Sequence, residues 1–115
     1  MATITSAIPL LPGKAEAWRR WIQDLQGSRH AEYVAALSRQ GISAARFWIS
    51  EAGGGEVIIV SFEAQDPDAI GTTWATSQHP FDVWYRQKLQ EFHGLDVTQM
   101  RRYRLDPVFI WPEQE

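Results

Sequence analysis

Residues 42–63, Ile42-Ser43-Ala44-Ala45-Arg46-Phe47-Trp48-Ile49-Ser50-Glu51-Ala52-Gly53-Gly54-Gly55-Glu56-Val57-Ile58-Ile59-Val60-Ser61-Phe62-Glu63, decide the fold. Two strand-like runs, residues 42–50 and 56–63, flank a Gly-rich segment whose residues tolerate the positive φ of a hairpin turn. The spacing predicts an antiparallel pair. Side chains alternate along a strand, so Ile58, Val60 and Phe62 share one face, yet Val57 and Ile59 make the opposite face apolar too. In the first run Phe47 and Ile49 point one way and Trp48 the other, with Arg46 beside it. A chain this short covers one sheet face with its own helices. The second apolar face needs another cover, and another sheet is the natural one.

Outward from the hairpin, residues 3–8 are rich in β-branched side chains and closed by Pro9 and Pro12-Gly13, a first strand. Trp18, Trp21, Ile22 and Leu25 recur at i, i+3, i+4, i+7 from Lys14 onward, an amphipathic helix ended by Gly27. Ser28 is the expected cap of a second helix carrying Tyr33, Val34 and Leu37, with Gly41 as its stop. Asp66-Pro67 opens a short helix with Ala69, Ile70 and Trp74 on its buried side, made marginal by Gly71. His79-Pro80 repeats the start signal, Asp82 falls in the first turn, and Phe81, Trp84, Tyr85, Leu89 and Phe92 follow at helical spacing to Gly94. Residues 98–111, with Tyr103, Leu105, Phe109 and Trp111 at one parity, read as a last strand plus tail, and Pro107 confines that position to an edge. The result is one α+β domain over residues 1–115, a ferredoxin-like sandwich. Four antiparallel strands carry helices on one face, and the other face is expected to pair sheet to sheet in a homodimer.

Composition narrows the function classes. Eleven Lys plus Arg against fourteen Asp plus Glu give a net charge of −3, so no overall positive field favours nucleic acid or an anionic membrane surface. Cysteine is absent, which excludes disulfides, thiolate metal sites and cysteine nucleophiles. Residues 1–5 lack a basic region followed by an apolar core, and no run approaches the roughly 20 apolar residues of a membrane span, so a cytoplasmic protein is expected.

The order strand, helix pair, strand, strand, helix pair, strand, together with the length and the doubly apolar sheet, resembles the superfamily of dimeric α+β barrels. The closest local echo is Trp74-Ala75-Thr76-Ser77-Gln78-His79, similar to a stretch common in antibiotic-biosynthesis-monooxygenase-type members. Leu11-Pro12-Gly13-Lys14 after the first strand and His93-Gly94-Leu95-Asp96 near the end are similar to a small uncharacterised bacterial family within that superfamily. The resemblance implies a pocket between sheet and helices and cofactor-independent oxygenation or isomerisation. Haem-degrading members carry an Asn on the first strand, a Trp and a histidine haem ligand. Here that strand offers Thr3, Thr5 and Ser6, Trp74 matches the Trp, and Trp84 stands where the histidine is expected. This departure argues against haem, and no cofactor is expected.

The histidines, His30, His79 and His93, form no metal-ligand pair, and His79 and His93 lie about 21 Å apart along one helix. No metal site is expected. His93, in a last helical turn before glycine, is explained by bonds to the terminal carbonyls. His79 is a poorer cap than Ser or Asp and is therefore the candidate for proton transfer in a pocket, although an exposed turn histidine accounts for it too. Trp48 either lines an interior cavity or packs at the dimer seam. Arg46, Trp84 and Tyr85 are further candidates, with core packing the structural explanation for the two aromatics. Trp18, Trp21 and Tyr33 read as core. Arg101, Arg102 and Arg104 are either an anion clamp or the charge that protects an edge strand. The expected function is the binding of a small apolar or aromatic metabolite, with monooxygenase- or isomerase-type chemistry. The alternative is a non-catalytic interaction module with an aromatic core. An enclosed, partly polar cavity of roughly 300 Å³ or more separates the two.

Overall fold

The computed structural model describes residues 2–112. Its elements run β1 (Ala2–Pro9), α1 (Ala15–Gln26), α2 (His30–Arg39), β2 (Ile42–Ser50), β3 (Val57–Ala64), α3 (Ile70–Thr76), α4 (Pro80–His93) and β4 (Arg104–Leu105). The four strands form one antiparallel sheet in the order β2-β3-β1-β4, with the helices on one face. This is the expected α+β architecture.

Register divides the sheet into two unlike faces. Ile58 pairs with Ile8 and Ile49, Val60 with Ser6 and Phe47, and Phe62 with Ile4 and Ala45; these residues face the helices. The alternate residues form the outer face, where Ile59 lies between Ala7 and Trp48, and Thr5 lies between Ser61 and Leu105. Trp48 is 47% exposed and Leu105 50% exposed. A bulge between Ile42 and Ala44 turns Ile42 inward, where it is buried.

Trp18, Trp21 and Leu25 of α1 are buried, each contributing roughly 2 kcal/mol by leaving water. Around Trp21 stand the rings of Tyr85 and Phe92, at 5.1 and 5.3 Å, and Tyr85 stacks on Trp74 at 4.4 Å. At the start of α4, His79 Nδ1 accepts from the amide of Phe81 at 3.2 Å and Pro80 takes the first helical position. Its end is a left-handed Gly94, φ 70°, whose amide donates to Gln90 O. Asp82, buried in the first turn of α4, accepts from Arg39 Nη2 at 2.7 Å and Ser77 Oγ at 2.5 Å, tying α2 to the junction of α3 and α4. Arg86 Nη1 donates to the carbonyls of Trp74 and Ser77 and closes the end of α3.

Three local expectations are corrected. Ser28 does not cap α2, which begins at His30 behind Arg29 without a side-chain cap. Asp66 makes no capping bond either: Pro67 opens a 3₁₀ turn, Pro67–Ala69, that leads into α3. The long last strand shrinks to Arg104–Leu105, because residues 99–103 form a 3₁₀ turn, Gln99–Tyr103. Beyond β4, Val108, Phe109, Ile110 and Trp111 are 104, 81, 47 and 83% exposed. Among the described residues no helix is long and apolar enough to cross a membrane.

Candidate functional site

Between the sheet and the helices lies a cavity of about 340 Å³. Its floor is the inward face of the sheet, with Ile4, Ser6 and Ile8 from β1 and Phe47, Ile58, Val60 and Phe62 from β2 and β3. Trp18, Trp21, Trp74 and Tyr85 supply aromatic walls. The open end is polar: Asp68, Thr72, Arg101 and Arg104 stand there, with Asp68 and Arg101 largely solvated.

His93, on the last residue of α4 and 6% exposed, is the imidazole of this lining. Its Nδ1 lies 2.8 Å from the carbonyl oxygen of Pro9. A carbonyl only accepts, so Nδ1 carries the hydrogen and Nε2 keeps its lone pair. Burial lowers the His93 pKa, and the Pro9 bond offsets this only in part, so the ring is neutral at physiological pH. A neutral imidazole with a fixed tautomer is a proton acceptor. The explanation of His93 as a cap for helix carbonyls is thereby corrected.

Tyr85 and Tyr33 share a hydroxyl–hydroxyl hydrogen bond of 3.1 Å behind the cavity wall. Burial pushes Tyr85 up to about 12, and burial together with Tyr85 raises Tyr33 well above 10. Both remain phenols at neutral pH.

Of the five residues singled out from the sequence, Tyr85 lines the cavity. His79 is exposed and is occupied as the α4 cap. Trp84 lies under the guanidinium of Arg29, 4.1 Å from its ring centre, and does not line the cavity. Trp48 and Arg46 project from the outer sheet face, where both also border a wide, open groove of about 940 Å³ along β2. The fold therefore brings Trp48 and Arg46 together, away from Tyr85. His93 was missed as a site residue, although Tyr85, Leu89 and His93 form one i, i+4, i+8 stripe that marks it as inward-facing. Among the described residues no group of three His, Cys, Asp or Glu side chains stands close enough to hold a metal ion.

A family model matches residues 1–111. The chain belongs to DUF6176, a family of unknown function. No curated protein and no solved structure matches it.

Proposed function

We propose that this chain holds one small apolar or aromatic metabolite in the cavity between its sheet and helices. It acts on it, without a cofactor, in an isomerase-type reaction or in a monooxygenase-type reaction. In the latter dioxygen is the oxidant, one oxygen atom entering the substrate and the other leaving as water with the substrate's own electrons. The observation that carries the reading is the cavity: at about 340 Å³ it exceeds the volume expected of packing defects, and a buried neutral histidine lines it. Either reaction begins with loss of a substrate proton, and His93 Nε2 is the acceptor, oriented by the bond from Nδ1 to Pro9.

The working unit in this reading is a cytoplasmic homodimer of the dimeric α+β barrel kind. Trp48, Ile59 and Leu105 give the outer sheet face an apolar surface that the chain's own helices leave uncovered. The exposed tail after β4 supports a second copy as its cover. Six extended residues beyond Leu105 reach about 20 Å, and four strands at their usual spacing span about 14 Å. A tail leaving the edge strand is long enough to lie across a facing sheet.

The test is a thermal-shift screen of small aromatic and aliphatic compounds against the wild-type chain and Ile4→Trp, which fills the cavity from β1. Stabilisation by a compound that Ile4→Trp abolishes, with the variant still folded, supports the ligand site. Stabilisation equal in both proteins, or none in either, leaves the non-catalytic interaction module in its place.

A further inference from the structure

We propose that the open end of the cavity is a carboxylate clamp. The ligand is a small apolar carboxylic acid, its hydrocarbon or aromatic body inside and its carboxylate between Arg101 and Arg104. This inference rests on the ligand reading of the cavity and names its substrate class.

Position comes first. Arg104 pairs with Ser6 in the β1–β4 register, and Ser6 is on the inward face, so Arg104 enters the cavity lining rather than the outer face. The 3₁₀ turn just before it brings Arg101 to the same opening. Arg102, between them in sequence, is not part of the lining and is exposed. The cluster that looked uniform in sequence is thus divided, two guanidinium groups at the cavity and one in solvent.

Charge comes second. The ionic groups of the lining are Arg101, Arg104 and Asp68, with His93 neutral, which leaves one positive charge in excess. Asp68 Oδ1 accepts from Arg101 Nη2 at 3.4 Å and from Arg104 Nη1 at 3.0 Å, holding the two guanidinium groups side by side. Asp106, 3.9 Å from Arg104 Nε, is largely solvated and outside the lining. A guanidinium carries five N–H donors, so each retains donors for a second carboxylate in fork geometry. One excess charge matches a carboxylate; a phosphate dianion asks for more.

Volume and polarity come third. A cavity of about 150 Å³ holds benzene, so 340 Å³ takes a ring with a short chain or a fused bicycle. Apart from Asp68, Thr72, Arg101, Arg104 and the exposed Thr98, the lining is aliphatic and aromatic except for Ser6, His93 and the Tyr85 hydroxyl, which is bonded to Tyr33. An ionised group inside would be desolvated without a charged partner, so it belongs at the arginines.

Matched pairs decide the matter by calorimetric titration at low salt: 3-phenylpropionate against 3-phenylpropanamide, and 2-naphthoate against 2-naphthamide. Each acid is expected to bind at least tenfold more tightly than its amide. Arg101→Gln and Arg104→Gln each reduce that preference several-fold and leave the amide unchanged, whereas Asp68→Asn strengthens the acid alone by removing a competing carboxylate. Arg101 is largely exposed, so Arg101→Gln folds, and circular dichroism verifies each variant. Equal binding of acid and amide by the wild-type chain overturns the clamp and leaves the cavity reading standing. Failure of every acid and every amide to bind overturns both.

Discussion

His93 Nδ1 and the carbonyl oxygen of Pro9 meet at 2.8 Å across 84 residues of sequence, joining the end of α4 to the end of β1. Because the ring is buried, its pKa is lowered, and folding favours the neutral form. The unfolded chain takes up this proton below its ordinary pKa of about 6.5, the folded chain only at lower pH. Stability is therefore full above about pH 7, falls as pH drops through 6.5, and levels off once the folded pKa is passed. In His93→Asn, whose amide can still donate to Pro9, that part of the pH dependence disappears. Chemical denaturation between pH 5 and 8 checks it, and an unchanged slope in the variant assigns the dependence to other groups.

The Tyr33–Tyr85 pair makes the opposite end of the pH scale informative. Both phenols ionise near 10 in the unfolded chain and later in the fold, Tyr85 at about 12. Stability is expected to hold below pH 10 and to fall between 10 and 12. Tyr85→Phe strands the buried Tyr33 hydroxyl and costs about 1–3 kcal/mol, part of which the double variant Tyr33→Phe, Tyr85→Phe recovers. Equilibrium unfolding of Tyr33→Phe, Tyr85→Phe and the double variant against the wild type gives the cycle.

Asp82 is 1% exposed, and its carboxylate holds both Arg39 and Ser77. Asp82→Ala leaves the part-buried donors of Arg39 and Ser77 without their acceptor and opens a void in the first turn of α4, for an expected loss of about 3 kcal/mol. Arg39→Ala should cost less, because that guanidinium is partly solvated and Ser77 still donates to Asp82. Melting curves order the two, and the reverse order would place the weight of the network on Arg39.

On the outer sheet face, Trp48→Arg and Ile59→Glu put charge where the second copy is expected. Light scattering should give twice the 13.2 kDa chain mass for the wild type and a single chain mass for the double variant. Removal of residues 108–115 should weaken the dimer without unfolding the sheet, since Val108 to Trp111 make little contact within the chain. A wild-type protein at 13.2 kDa removes the sheet-to-sheet reading outright.

The sequence alone determined the local elements that rest on short-range chemistry. The helical stripes of α1 and α4, the glycine stop after His93 and the Gly-rich hairpin between β2 and β3 all depend on residues within a few positions of each other. Two neighbouring apolar faces in residues 57–62 were enough to specify a sheet covered by helices on one side. Tertiary structure decided what no local pattern holds. His93 could be read as a helix cap until β1 brought Pro9 to its ring, and His79 as a pocket residue until its nitrogen was spent on the amide of Phe81. Arg101 and Arg104 are separated from Arg102 only by the 3₁₀ turn and the β1–β4 register. The cavity itself is the space left between two layers whose separation is set by Trp18, Trp21 and Tyr85 together, a many-body packing outcome with no one-dimensional signature.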